Sequence, residues 1–171
     1  MSATSPTNVQ LRNLAFGSPT GFLALGFGSG LSPKAPGTAG TVMACLLWYP
    51  VSLLPWISQL LVVFVSVFMG VWLCQKAADA LGVHDHPAIV WDEFVGMWAV
   101  LLVLAPSLSG WFLGFCLFRL FDVLKPWPIR WFDQNLEGGL GIMVDDLLAA
   151  LFTCLVLFLI NFWWSVGLQM G

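Results

Sequence analysis

The chain has 171 residues, and nine acidic against six basic side chains leave a formal net charge of −3. Hydrophobic residues make up 59% and charged residues 9%, where roughly a quarter is usual for a soluble domain, so there is too little polar surface to coat a water-soluble fold. The same composition excludes a disordered chain, a coiled coil and a nucleic-acid-binding surface, and leaves an integral membrane protein formed by one domain over residues 1–171.

Residues 1–13 read as a polar N-terminal tail carrying one basic residue, Arg12. The apolar stretch after it is broken by Gly17, Pro19, Gly21, Gly26, Gly28 and Gly30, which is not the pattern of a cleavable secretory signal. Then comes Gly28-Ser29-Gly30-Leu31-Ser32-Pro33-Lys34-Ala35-Pro36-Gly37-Thr38-Ala39-Gly40-Thr41. Its glycines let backbone N–H groups approach an anion, Ser29, Ser32 and Thr38 offer hydroxyls, and Lys34 offers a point charge. These four are candidate ligands of a substrate phosphate, at which the following helix would aim its N-terminal dipole. The spacing matches neither a Walker motif nor the dinucleotide fingerprint, and a simple membrane-entry loop accounts for the segment equally well.

Five apolar runs follow, at about 41–54, 57–74, 94–105, 111–124 and 147–164. Only the second and the last approach the ~20 residues that cross a bilayer comfortably. The third lengthens if its helix starts at Pro87 and continues through Asp92 and Glu93. Prolines at 50 and 55, and the 106–110 turn, join the first four runs into two helical hairpins. The expectation is an all-α, polytopic membrane protein with about five hydrophobic helical segments, some of them short or re-entrant. Cys45, Cys74, Cys116 and Cys154 each sit inside an apolar run and read as small buried hydrophobes.

Between the second and third runs, His84-Asp85-His86 reads as an ordinary polar loop, because two histidines two apart do not share a helix face. The third run opens on adjacent carboxylates, Asp92 and Glu93. The fourth ends with Arg119 and Asp122, three apart and therefore able to share a face, followed by Lys125, Pro126, Trp127, Pro128, Arg130 and Trp131. Arg119, Lys125 and Arg130 are candidates to contact a lipid phosphate while Asp122 faces a metal; an interfacial anchor with snorkelling cations is the plainer alternative. A glycine-rich bend, Gly138 to Gly141, leads into Asp145-Asp146 at the start of the fifth run. Asp92, Glu93, Asp145 and Asp146 together supply hard oxygen ligands suited to Mg2+, whereas helix capping would explain them separately.

Every charge lies in the N-terminal region, between Lys76 and Glu93, or between Arg119 and Asp146; the hairpin turns and the tail after Trp164 carry none. With five spans these regions share one face of the membrane, and by the positive-inside rule that face is cytoplasmic. A charge at mid-span costs roughly 2.5–3.5 kcal/mol, so the flanking acids belong near the interface, in a polar chamber at the helix ends.

GFGSGLSPKAPGTAGT, GVHDHPAIVWDEFVGMW, FRLFDVLKPWPIRWFD and GGLGIMVDDLLAA, in this order and spacing from roughly Leu25 to Ala150, resemble the blocks of the phosphatidylglycerophosphatase A family of bacterial inner-membrane lipid phosphatases. The resemblance implies Mg2+-dependent hydrolysis of phosphatidylglycerophosphate to phosphatidylglycerol and phosphate, by a multi-pass protein whose site faces the cytoplasm. Asp92, Glu93, Asp122, Asp145 and Asp146 are then the candidate catalytic set, with Asp92, Glu93, Asp145 and Asp146 as metal ligands. A metal-activated water is the expected nucleophile, and attack by Asp122 or Asp92 through a phospho-aspartyl intermediate is the competing route. Two other classes stay open. An intramembrane alcohol phosphotransferase lacks its longer pattern of spaced aspartates here, and a transporter or channel would place its acids nearer mid-depth.

Overall fold

Helix begins inside the stretch read as a polar tail. In the computed structural model, which describes residues 6–170, α1 spans Asn8–Gly17. Its start is a capping box: Gln10 N–H donates to Thr7 Oγ1 at 3.3 Å and Thr7 N–H donates to Gln10 Oε1 at 2.7 Å. Ser18 caps the short α2, Pro19–Ala24, by accepting from Gly21 N–H at 3.0 Å. A tight 3-10 stretch, Gly26–Leu31, follows, with Gly26 and Gly28 at φ of +55° and +90°, where only glycine is unstrained.

Five longer helices come next: α3 (Pro36–Ser52), α4 (Trp56–Leu81), α5 (Trp91–Leu102), α6 (Leu108–Leu124) and α8 (Gly138–Met170), with the short α7 (Ile129–Asn135) before the last. Every regular element among the described residues is helical, as expected. The five apolar runs thus correspond to five helices. Among the described residues, α4 and α8 alone are long and apolar enough to cross a membrane by themselves. The 17 residues of α3 and of α6 reach about 26 Å, and the 12 of α5 about 18 Å, against a hydrocarbon core of about 30 Å.

Two boundaries differ from expectation in ways that matter for the site. Helix α5 starts at Trp91 rather than Pro87, because residues 87–90 pack across α2: Val90 N–H donates to Ala24 O at 3.0 Å. Helix α8 starts at Gly138, well before the fifth apolar run. Its first amides find partners far away in sequence, at the end of α4 and in the loop after it, Gly138 N–H donating to His84 Nε2 at 3.1 Å and Gly139 N–H to Gln75 Oε1 at 2.8 Å. Asp145 and Asp146 therefore lie about two turns inside a helix, and capping does not explain them.

Helix α5 is the central post. Nine of its twelve residues are buried, and it packs against α3, α4, α6 and α8. The indole N–H of Trp91 donates to Ser66 O of α4 at 3.3 Å, and that of Trp98 to Ala44 O of α3 at 2.9 Å. Phe94, Met97, Phe118 and Met143 are buried without exposure: Phe118 of α6 lies against Gly96 of α5, Met143 of α8 against Gly70 of α4, and Phe94 of α5 beside Phe27 of the 3-10 stretch. Close approach needs glycine at Gly139, where a Cβ would stand 2.0 Å from Val71 O, and at Gly96, where it would stand 2.7 Å from the Phe118 ring.

These contacts bring the starts of α3, α5 and α8 to the end of the bundle where α4 and α6 finish. Away from that end the outer surface is apolar: Ile57, Leu61, Phe64 and Phe68 on α4, Phe112 on α6 and Leu151, Leu155 and Phe158 on α8 are all exposed. Together with the two long apolar helices, such a coat marks a membrane protein.

Candidate active site

The polar end of the bundle is built by α5 and α8. Asp92 and Glu93 occupy the first turn of α5, where the helix dipole favours negative charge. Asp146 projects from α8 to meet them, and one carboxylate oxygen from each of the three lies within 4.8 Å of the others. Asp146 is 2% exposed and Asp92 9%, so neither charge is dissipated into solvent.

One cation faces this group. Arg119, in the last turns of α6, places Nη1 2.5 Å from Asp122 Oδ2, 3.8 Å from Glu93 Oε1 and 3.4 Å from Thr41 Oγ1. The start of α3 forms the remaining wall. A Cβ on Gly37 would lie 2.2 Å from Glu93 Oε1 and 3.1 Å from Arg119 Nη2, so that the α3 backbone touches both side chains. Thr41 is fixed by donating its hydroxyl to Gly37 O at 2.8 Å.

A second ion cluster stands beside the first. Lys125 Nζ lies 2.5 Å from Asp133 Oδ1 of α7 and 2.5 Å from Asp145 Oδ2 of α8. Partial burial opposes the Lys125 charge, but the two carboxylates outweigh it and hold the ammonium pKa above its usual range. This cluster ties the end of α6 to α7 and α8.

In the first cluster the charges do not balance: Asp92, Glu93, Asp122 and Asp146 face Arg119 alone. Two ionised carboxylates 4.8 Å apart repel by roughly 3.5 kcal/mol at an effective dielectric of about 20. Asp92 Oδ1, Glu93 Oε2 and Asp146 Oδ2 are also buried with no hydrogen-bond partner, an expensive condition for anionic oxygen. Three close, all-oxygen, unsatisfied donors fit a hard divalent cation such as Mg2+, which neutralises the repulsion and takes up the free lone pairs.

The other sequence candidates fall in different places. Asp145 is directed to Lys125 rather than to the three-carboxylate group, because adjacent helical residues point about 100° apart. Asp122 adjoins the group directly, its carboxylate lying beside that of Asp146, and also pairs with Arg119. Ser29, Lys34 and Thr38 line one shallow depression at the start of α3. Ser29 and Ser32 use their hydroxyls locally, Ser29 donating to Gly26 O at 2.7 Å and Ser32 to Lys34 O at 2.8 Å. Arg130 is exposed on α7. In the 84–86 loop, His84 caps α8, and His86 Nδ1 accepts from Ala88 N–H at 3.1 Å. Burial holds the His86 pKa below its usual value, against the opposing charge of Asp85, as suits a neutral acceptor.

Sequence reasoning missed Gly37 and Thr41 as walls of the site, and Gln75, His84 and Asp133 as groups that hold its elements. The Gly37–Thr41 spacing of one helical turn was a usable signal. Asp133 and Gln75 act across loops and carried none.

The family model described as phosphatidylglycerophosphatase A matches residues 22–161. The chain is 46% identical over 162 residues to phosphatidylglycerophosphatase A of Escherichia coli (strain K12), covering 94% of each. It is 48% identical over 162 residues to phosphatidylglycerophosphatase A of Haemophilus influenzae, covering 91% of this chain and 97% of the relative. A Bacteroides thetaiotaomicron protein with the provisional name phosphatidylinositol-3-phosphatase is 37% identical over 155 residues, covering 85% of this chain and 94% of the relative. No solved structure matches the chain.

Proposed function

The chain belongs to the phosphatidylglycerophosphatase A family, and from that premise we propose that it hydrolyses the terminal phosphomonoester of phosphatidylglycerophosphate, releasing phosphatidylglycerol and phosphate, with Mg2+ as cofactor. The observation that carries this reading is the buried trio of Asp92, Glu93 and Asp146, beside Arg119 and with unpartnered oxygens. In this reading the trio holds the ion, which when bound neutralises phosphate charge and acidifies water.

The remaining work falls to the chain's own side chains. Arg119 offers N–H donors to the phosphoryl oxygens, where negative charge must be stabilised as the P–O bond breaks. Asp122, 2.5 Å from Arg119 Nη1, holds the guanidinium toward the trio. Water adds to phosphorus, a site carboxylate takes its proton, and the departing glycerol oxygen regains one. The first turn of α3, abutting Glu93 and Arg119, closes the site from one side. The surplus of acidic residues at one end of the bundle suits a site at the membrane interface, and the positive-inside rule assigns that end to the cytoplasmic face of a multi-pass inner-membrane protein.

The test is phosphate release from phosphatidylglycerophosphate by purified protein in detergent, with Mg2+ or with chelator. Release is expected to need Mg2+ and to fall on the order of a hundredfold in Asp92→Asn and Asp146→Asn, the scale typical of losing one charge-stabilising group. Full activity in chelator, or in both variants, overturns the assignment. Phosphatidylinositol 3-phosphate, assayed in parallel, is expected to be the poorer substrate.

A further inference from the structure

We propose that the groove between α3 and α6 holds an acyl chain of the phospholipid substrate, with the lipid's internal phosphodiester at Lys34 and Thr38. The inference rests on the lipid-phosphatase reading and adds where the lipid lies. Helices α3 and α6 both pack on α5 but touch one another only sparingly, which leaves a channel along the side of the bundle. One part of it, about 420 Å³, is lined by Ser29, Lys34 and Thr38 at its polar end and by Val42, Met43 and Leu46 below. The adjoining part, about 450 Å³, shares Val42 and Leu46 and continues between Tyr49 of α3 and Trp111, Phe112 and Phe115 of α6.

The two parts form one track because Thr38, Val42, Leu46 and Tyr49 recur every three or four residues and so share one face of α3. From Thr38 to Tyr49 that face runs about 16 Å at 1.5 Å per residue, roughly half of a bilayer core and so the depth of one leaflet. Polarity is graded along it. Hydroxyls and an ammonium stand at the end nearest the carboxylates, and Cys45, the Tyr49 hydroxyl and the Trp111 indole N–H interrupt an otherwise apolar remainder.

That gradient selects the occupant. Lys34 is exposed and forms no ion pair among the described residues, so it is available to an anion. An amphiphile with one anionic end and a long saturated or unsaturated tail matches both halves of the track, whereas a helix from a second copy would leave Lys34 without a counter-charge. Three residues beyond Lys34, Gly37 abuts Glu93 and Arg119. Phosphatidylglycerophosphate carries a phosphodiester and a terminal phosphomonoester separated by one glycerol. A phosphodiester at Lys34 therefore directs the terminal phosphate toward Arg119 and the carboxylate trio.

The experiment uses the full chain in nanodiscs of zwitterionic lipid, with phosphatidylglycerophosphate bearing a photoreactive diazirine on one acyl chain. Cross-links are expected within 42–49 and 108–115, competed by unlabelled phosphatidylglycerophosphate and not by diacylglycerol. Leu46→Trp, which fills the track at an exposed position, is expected to cut cross-linking about tenfold, a loss matching roughly two buried methylenes. Phe68→Trp on the outer face of α4 is expected to leave it unchanged. Lys34→Gln is expected to weaken competition without moving the cross-linked positions. Labels spread over α4 and α8, labels that no lipid competes away, or cross-links joining α3 or α6 to a second copy would each overturn the proposal. Phosphate release is followed on the same samples. Competed labelling in a protein that releases no phosphate upholds the groove while refuting the phosphatase reading.

Discussion

Asp145 and Asp146 are neighbours in sequence, yet α8 sends one carboxylate to Lys125 and the other to Asp92 and Glu93. The two should fail differently when neutralised. Asp145→Asn breaks a charge-assisted contact that ties α8 to α6, and we expect it to lower stability by roughly 1.5–3 kcal/mol. The double variant with Lys125→Met should lose much less than the sum of the two single losses, since both act on one interaction. Asp146→Asn removes a repelling buried charge, so in chelator its melting temperature should equal or exceed that of the wild type. Added Mg2+ should stabilise the wild type by mass action and leave Asp146→Asn unmoved. Thermal unfolding of the wild type, Asp145→Asn, Lys125→Met, their double variant and Asp146→Asn, with and without Mg2+, checks all of this, and a Mg2+ shift kept by Asp146→Asn would remove Asp146 from the metal group. The residue types were legible in the sequence as a pool of carboxylates. Their division into two clusters was not, because it depends on the rotation of α8 about its axis, and that follows from where the helix starts and what it packs against.

At the scale of elements, glycines decide how closely the helices meet, and two of them separate site geometry from stability. A Cβ at Gly37 would meet the ends of two long side chains, Glu93 and Arg119, which can move aside. Gly37→Ala is therefore expected to keep its melting temperature within a few degrees while losing on the order of a hundredfold in kcat, because displacing catalytic groups by about 1 Å is that costly. A Cβ at Gly139 would meet the α4 backbone, 2.0 Å from Val71 O and 2.7 Å from Gln75 N, and a backbone cannot yield in the same way. Gly139→Ala should destabilise by about 1–3 kcal/mol through the forced separation of α4 and α8. Parallel melting curves and kinetics distinguish the two, and equal stability losses would contradict the close approach at Gly139. The five helices were legible from five apolar runs, but two of their starts were not. Helix α8 extends back to Gly138 because His84 and Gln75, more than fifty residues away, satisfy its first amides.

For the whole molecule, one polar end and an apolar flank define how it sits in a bilayer. Among the described residues, α4 and α8 alone have the length and apolarity to cross, and any shorter helix at membrane depth needs cover from its neighbours or a locally thinned membrane. A central helix as short as α5 is tolerated because it is buried among four others and is shielded from lipid. The one-sided distribution of charge predicts an orientation. In a cysteine-free background, Ser109→Cys lies at the apolar-turn end and Gln134→Cys on α7 at the charged end, both exposed. An impermeant maleimide applied to intact spheroplasts should label Ser109→Cys and spare Gln134→Cys until the membrane is opened. The reverse pattern would put the carboxylate trio on the outer face.

Composition and periodicity were sufficient to identify a helical membrane protein, to locate its apolar segments and to gather its charges at one end, since hydropathy and charge act along the chain and need no partner. The four motif blocks likewise carried the family, which the match over residues 22–161 shows. Which carboxylates share a site, which lysine is already paired, and where α3 and α6 leave a groove were decided only by the tertiary structure. Each depends on distances between residues far apart in sequence, set by close helix packing at a few glycines, and no local pattern encodes those distances.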